Sequence, residues 1–583
     1  MPTDIRIEFD VAATMRDGTV LRANILRPAE GGPYPVALIR TPYGKDLAMA
    51  SLIVDPLRLA RAGYMVAIQD VRGRFRSEGE WSPLVHEAQD GYDTVEWAAT
   101  LAGSSGAVGM CGGSYMGFTQ WAAAMEAPPH LKAIAPAVTW ASARNGLTWR
   151  GGALELGKLA RWQLGNIAFD LTLRRCREAP REAKMEALAT LAHEVDHLGT
   201  EGYYALPLAE FEPFVRVGIP PDVLHIISEP YSRSYNAPFS VAEAYDRIQV
   251  PALNIGGWYD ICAQGTLDNF SALRNHGTTP QARQAMLLMG PWSHTTYGNV
   301  VGELDFGIRA NAALIDLAAD LTEISRRWFD CWLKGIDNGI TRQPPARIFV
   351  MGVNTWRHEH EWPLPRTHYT PYFLHSHGHA NTLLGDGTLS AHRPGHEPAD
   401  RFTYDPADPT PTCGGAILMN PLYGQGVKDQ RPVEARPDVL VYTSETLADD
   451  IEVTGPVSVR LWAASTAPDT DFVARLVDVH PNGFAQNLTD GIIRARYRDG
   501  DQPKLLQPGR VYEFTIDLWS TANVFKAGHR VRLDIASASF PRWDRNPNTG
   551  QPFGTDPTTR PAQQTILHDA EHPSHVLLPI VVH

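Results

Sequence analysis

Residues 108–117 read Val108-Gly109-Met110-Cys111-Gly112-Gly113-Ser114-Tyr115-Met116-Gly117: an apolar run, a glycine pair, a serine, and then text of helical character. This is the layout of a nucleophile elbow, where a serine sits on a strained strand-to-helix turn and small neighbours let strand and helix approach. The usual G-x-S-x-G spacing is not met, because Met116 holds the second place after Ser114 and Gly117 the third. The alternative is a glycine-rich connection without chemistry, which any short motif leaves open. A serine hydroxyl needs a base to attack, and the base needs an acid to orient it. On an α/β-hydrolase sheet these follow in the order serine, acid, histidine. That order is present: Asn254-Ile255-Gly256-Gly257-Trp258-Tyr259-Asp260 ends an apolar run on an acid, and Leu287-Leu288-Met289-Gly290-Pro291-Trp292-Ser293-His294 ends the next on a histidine. The 34-residue step from Asp260 to His294 fits one helix and one strand. Both would then stand at the carboxyl edge of a sheet, where ligand chemistry gathers in open α/β folds. Taken singly, Asp260 reads as a turn former or cap and His294 as one of 21 histidines; their shared topology sets them apart.

The oxyanion of a tetrahedral intermediate needs donors aimed at it. The residue after the nucleophile commonly supplies a backbone N–H, here Tyr115. The second donor is expected from the loop Thr41-Pro42-Tyr43-Gly44-Lys45. Tyr43 offers a phenol there, although residue type alone favours a tyrosine packed on a loop. Two other groups invite chemistry and are set aside. His375, His377 and His379 alternate and would share a face on a strand, but no acid or cysteine cluster accompanies them, so a solvated loop is expected. Cys111 falls on the strand before the turn and reads as a small buried hydrophobe.

The elements that must position these residues follow from the spacing of apolar text. Runs at 36–40, 64–69, 107–111 and 131–138, with helical text at 90–99 and 115–125, indicate a parallel sheet covered on both faces. From about 139 to 245 the text turns helical, as in 178–198, with prolines at 207, 213 and 220–221 as breaks. Strand–helix alternation resumes at 250–256, 265–273 and 285–290. After about 335 short alternating runs (348–353, 457–464, 472–479, 511–518, 531–536) lie between turn residues, as in a sandwich or jelly roll. The expected organisation is an α/β core in two parts, 1–138 and 246–340, a helical cap at 139–245, and a β-sandwich at 341–583.

Composition narrows the function. The chain of 583 residues is too long for one core, and its 49 glycines and 45 prolines suit a turn-rich β component. A formal charge of −13 without basic blocks disfavours nucleic acid. Five scattered cysteines without a CxxC pair disfavour a disulfide framework or a zinc site. Met1-Pro2-Thr3-Asp4-Ile5-Arg6 opens without an apolar leader, and no stretch of 18 apolar residues occurs, so a cytoplasmic protein without membrane partners is expected.

Eight motifs in one order carry a resemblance: Met15-Arg16-Asp17-Gly18-Thr19, Arg40-Thr41-Pro42-Tyr43-Gly44-Lys45, Gln69-Asp70-Val71-Arg72-Gly73, Ser77-Glu78-Gly79-Glu80, the serine turn, the Asp260 and His294 strand ends, and Phe540-Pro541-Arg542-Trp543-Asp544-Arg545-Asn546. They resemble, nearly end to end, the cocaine esterase-like (CocE/NonD) acyl hydrolases, grouped with X-Pro dipeptidyl peptidases, α-amino acid ester hydrolases and glutaryl acylases. The family's elbow has the form G-x-S-Y-x-G, which accounts for the displaced glycine. The resemblance implies an α/β-hydrolase core with an inserted helical cap and a C-terminal jelly roll. It implies Ser114 as nucleophile, His294 as base, Asp260 as orienter, and the Tyr43 hydroxyl with the Tyr115 N–H as oxyanion hole. It also implies an apolar acyl pocket touched by Trp149, Trp162, Ile261 and Cys262. The acidic pair that holds a substrate ammonium in the α-amino acid ester hydrolases is replaced by Cys262 and Ala263, and Glu303 and Asp305 downstream are expected in a solvated loop. The expected activity is hydrolysis of a small-molecule carboxylic ester through an acyl-enzyme, with no metal or organic cofactor. The alternatives are an amidase, acylase or X-Pro-type dipeptidyl peptidase and, outside the class, an inert hydrolase fold acting as a binding protein. A homodimer is left open.

Overall fold

Strands buried on both faces need apolar residues at every position, and the runs around the serine turn show this directly. In a computed structural model that describes residues 4–220, 223, 231 and 233–582, Val36, Leu38 and Met110 point into one core while Ala37, Ile39 and Cys111 point into another. The strands concerned are β1 (Ile5–Thr14), β2 (Val20–Pro28), β3 (Tyr34–Thr41), β4 (Met65–Asp70), β5 (Ser104–Gly113), β6 (Leu131–Ala137), β7 (Leu253–Tyr259), β8 (Met286–Ser293), β9 (Ala346–Val350) and β10 (Thr355–Glu359). They form one ten-stranded sheet in the order β1-β2-β4-β3-β5-β6-β7-β8-β9-β10. From β4 to β9 neighbours run parallel, and antiparallel pairs close each edge. Helices α1 (Glu87–Ala99), α2 (Tyr115–Met125) and α6 (Ala263–His276) contribute to the first core, and α7 (Leu321–Lys334) to the second. β9 and β10, grouped by the sequence with the C-terminal β text, instead extend this first sheet, with Leu287 opposite Ala346.

The segment between β6 and β7 is helical, as its text indicates: α3 (Leu156–Trp162), a π-helical turn Gln163–Ile167, α4 (Ala168–Arg175) and α5 (Arg181–His197). Its own core gathers Trp149, Leu154, Leu164, Tyr203, Phe211 and Phe214 around Phe540 of the C-terminal unit. Pro213 does not break a helix but starts one, Glu212–Val217, where a missing N–H goes unused. Pro221 and Met1 to Thr3 lie outside the described residues.

The C-terminal strands are β11 (Thr367–His375), β12 (Thr388–Ser390), β13 (Asp400–Tyr404), β14 (Leu440–Thr443), β15 (Ile451–Ser465), β16 (Asp471–Val479), β17 (Ala485–Arg494), β18 (Tyr512–Phe525), β19 (Arg530–Ala536), β20 (Ala562–Leu567) and β21 (His575–Val581). They pair in the order β13-β20-β15-β21-β11-β12-β14-β19-β16-β17, with β18 on β15. All neighbouring pairs but β12–β14 are antiparallel. The contacts that fasten this β unit to the rest include one beside the first sheet and one at the cap. Met351 exchanges main-chain hydrogen bonds with Ala522 and Val524 of β18, and the motif at 540–546 holds the cap. There Trp543 Nε1 donates to Glu155 and Asp544 accepts from the Leu154 N–H, while Arg542 is anchored within the β unit by Asp490.

Candidate active site

Ser114 stands between β5 and α2 with φ 58° and ψ −123°, a strained conformation for a residue with a side chain. Its surroundings are cut to fit. A Cβ on Gly112, itself at φ +129°, would lie 2.7 Å from the Met116 Cβ, and one on Gly117 would lie 2.7 Å from the Thr139 Cβ. Glycine is therefore needed at the third place after the serine, where the helix passes the end of β6. The Ser114 N–H is tied to the Ala137 carbonyl at 2.9 Å, which holds the turn against that strand.

Asp260 follows β7 and His294 follows β8, adjacent parallel strands. Their side chains converge on the serine: His294 Nδ1 is 2.5 Å from Asp260 Oδ1 and His294 Nε2 is 2.9 Å from Ser114 Oγ. Asp260 is wholly buried, and its other carboxylate oxygen has no hydrogen-bond partner among the described residues. Its charge is thus left facing the imidazole. Serine, imidazole and buried carboxylate in series can move a proton from the hydroxyl to the ring and stabilise the ring once it is charged.

Tyr43 and Tyr115 flank Ser114. The Tyr43 oxygen accepts from Trp162 Nε1 at 3.0 Å, and Tyr43 lines both of the cavities that open beside Ser114. With one lone pair engaged by the indole, its own proton is free to point at a developing oxyanion. Burial pushes the phenol up to about 12, so it remains a donor throughout the working pH range. Tyr115 is the first residue of α2, so its N–H has no intrahelical acceptor. Its ring is fixed by a buried network: the hydroxyl donates to Glu87 at 2.8 Å, and Glu87 pairs with Arg40 at 2.7 Å. Trp162 stacks on the Tyr115 ring with centroids 6.0 Å apart.

Two cavities of about 80 and 90 Å³ open on Ser114. The first is lined by Tyr43, Tyr115, Trp140, Leu147, Leu159, Trp162, Ile261 and Cys262, together with Lys158 and Gln163. The second is lined by His294 with Met49, Leu52, Ile53, Val138 and Tyr297. Leu418, from the long loop before β14, touches both. Trp162, Ile261 and Cys262 are thus where the sequence expects them. Trp149 is not: it is buried edge-on against Phe553 with centroids 4.9 Å apart, inside the cap core, and lines neither cavity. The short hairpin of Trp149–Arg150 with Ala153–Leu154 places its side chain beside Leu154, toward the C-terminal unit. Trp140, stacked on Phe118, supplies an indole to the cavity instead. Sequence reasoning did not single out Trp140, Lys158, Gln163 or Leu418. For Leu418 no signal exists, since it lies in an aperiodic loop far along the chain.

The remaining groups singled out by residue type do not extend this set. Burial pushes the Cys111 thiol up to about 12, which leaves it un-ionised and unreactive. Glu303 is paired with Lys428 at 2.9 Å, and Asp305 bonds to Asn299. His375 ends β11 against Glu397 at 2.8 Å, while His377 and His379 are exposed beyond the strand, so the three share no face. Among the described residues, two groups bring metal-binding atoms within 4.8 Å of one another: Asp260, Cys262 and His294, and Asp478, His480 and His529. In the first both imidazole nitrogens are engaged by Asp260 and Ser114. In the second His529 bonds to Asp478 and His480 to Gln486.

Comparison with known proteins shows the same two-part plan. Residues 17–296 match the X-Pro dipeptidyl-peptidase (S15 family) model, and residues 338–577 match the X-Pro dipeptidyl-peptidase C-terminal non-catalytic domain. Cocaine esterase of Rhodococcus sp. (strain MB1 Bresler) is 39% identical over 583 residues, covering 99% of this chain and 98% of that one. Among solved structures, an α-amino acid ester hydrolase superposes with a TM-score of 0.81 at 24% identity, over 99% of this chain and 97% of its own. An aminopeptidase from a marine sediment archaeon (Thaumarchaeota archaeon) gives 0.75 at 25% identity, over 100% and 97%. The fold is thus an α/β-hydrolase core carrying a helical cap and a C-terminal β unit.

Proposed function

The chain belongs to the cocaine esterase family of S15-type serine hydrolases, and from that premise we propose that it cleaves carboxylic esters through an acyl-enzyme on Ser114, with His294 as base and Asp260 as its orienter. The observation that carries the assignment is the unbroken contact from Ser114 Oγ through both nitrogens of His294 to Asp260. His294 takes the serine proton as Oγ attacks the acyl carbon. The carbonyl oxygen, now negative, is met by the Tyr43 hydroxyl and the Tyr115 N–H. His294 then returns the proton to the leaving alcohol, and water activated by the same ring releases the acid. Since His294 must reach the leaving oxygen, the cavity lined by His294 takes the alcohol portion. The cavity lined by both tyrosines but not by His294 takes the acyl group.

A substrate ammonium has no counter-ion here: no carboxylate lines either cavity among the described residues, and Glu303 is already paired. This favours neutral esters over amino-acid esters and dipeptides. Five free thiols support a cytoplasmic setting as part of the same proposal, and among the described residues no helix is long and apolar enough to cross a membrane. A fluorophosphonate probe should label the wild type and fail to label Ser114→Ala. Labelling of both proteins, or of neither, would remove Ser114 from the role of nucleophile.

A further inference from the structure

The acyl cavity is largely apolar, and one of its polar lining residues, Gln163, stands where a helix changes its winding. α3 ends at Trp162, and Gln163–Ile167 then form a π-helical turn in which the Ala168 N–H bonds to the Gln163 carbonyl. Such widened turns are rare and recur at functional sites. This one sets Gln163 into the wall of the cavity that holds Ser114. Gln163 is 0% exposed, and neither its amide oxygen nor its amide nitrogen has a hydrogen-bond partner among the described residues. A buried carboxamide with both ends unsatisfied is unfavourable unless something enters to satisfy it. Lys158, on α3 and also lining the cavity, brings a second polar group. Its ammonium donates to the Gly146 carbonyl at 2.7 Å and lies 3.9 Å from Glu155, so a donor remains for a ligand.

The charge on Lys158 is balanced. Glu155, itself buried, opposes the lysine, and burial pushes the Lys158 ammonium below its ordinary range. An anionic acyl tail would thus find a cation already countered. A group that both gives and takes a hydrogen bond would satisfy Gln163 Oε1 and Nε2 together. We propose that the acyl cavity selects esters whose acyl chain carries a neutral donor–acceptor group, a carboxamide or a hydroxyl, with Gln163 as the specificity-determining residue and Lys158 as an auxiliary donor. This rests on the assignment of Ser114 as nucleophile and goes beyond it by naming the substrate class.

The test compares 4-nitrophenyl esters of short, medium and long acyl chains ending in isopropyl, carboxamide or carboxylate, the first two being nearly isosteric. At the chain length that reaches Gln163, wild-type kcat/KM for the carboxamide should exceed that for the isopropyl ester by about tenfold or more, because a site built to hydrogen-bond discriminates against a ligand that leaves it unpaired. The carboxylate ester should not match the carboxamide. Gln163→Leu should invert the preference. Gln163→Glu, which keeps the shape and loses the amide donor, should weaken it. Equal turnover of isopropyl and carboxamide esters at every length, or a preference for carboxylate, overturns the inference while leaving the hydrolase intact. So does an unchanged preference in either variant. Absence of hydrolysis for every ester, with no fluorophosphonate labelling, overturns the underlying assignment instead.

Discussion

At the scale of single residues, the proposed mechanism separates groups that react from groups that hold. Tyr43 is the sharpest case, since its oxygen is engaged by Trp162 only as an acceptor. Tyr43→Phe keeps the ring and removes the proton. Turnover should fall by about 10² or more with little change in KM, read from steady-state kinetics on a 4-nitrophenyl ester. Asp70 does the opposite kind of work. It accepts the Lys45 and Arg76 N–H groups behind the Tyr43 loop, and burial raises its carboxyl to about 6 from 3.8. The folded state therefore binds a proton more readily than the unfolded one between those values, so Asp70 stabilises most below about 4 and loses that contribution as pH rises through 6. The stability of the wild type relative to Asp70→Asn should fall by up to roughly 3 kcal/mol across that window and stay level above it, measured by denaturant unfolding at several pH values. Ser114, Asp260 and His294 were legible in the sequence because each ends an apolar run, and strand ends of a parallel sheet meet at one edge. Gln163 and Lys158 were not, because a polar residue in helical text carries no mark of the cavity it faces.

At the scale of elements, the serine turn and the cap obey different rules. The turn is set by covalent and steric constraints that a sequence displays: two glycines before the serine, and a third where α2 crosses Thr139. Gly117→Ala would press its Cβ against Thr139 Cβ at 2.7 Å and the Ala137 carbonyl at 3.0 Å. Overpacking of that kind destabilises by about 1–3 kcal/mol. A matching fall in thermal midpoint should accompany a loss of turnover as the elbow is displaced; a variant as stable and active as wild type would show that the strand has room to yield. The cap is set by tertiary contacts. Its helices were foreseen from their spacing, but the π turn at 163–167 interrupts no pattern of apolar residues, and the hairpin that turns Trp149 away from the cavity is only two residues long on each side. The resemblance placed both indoles at the pocket; local packing kept one.

At the scale of the whole molecule, main-chain bonds at Met351 tie the two sheets together, and the charged clamp at 540–546 ties the second sheet to the cap. The text of β9 and β10 looks like the C-terminal strands because short alternating runs read alike in either sheet; only pairing decides which sheet they join. Within the clamp, Arg542 and Asp490 are both buried. Arg542→Met should destabilise by about 3 kcal/mol, since it leaves a buried carboxylate with a weaker partner. Calorimetry should show one transition moving down as a unit; two separated transitions would mean that the sheets melt independently. Leu418 carries a consequence for how such an enzyme diversifies. A leucine from the unit least concerned with the reaction forms part of the wall of both chambers. Inheritance of a new substrate size therefore runs through the 405–430 loop as much as through the cap. A chain cut at 340 would keep Ser114, Asp260 and His294 without the loop that walls both chambers.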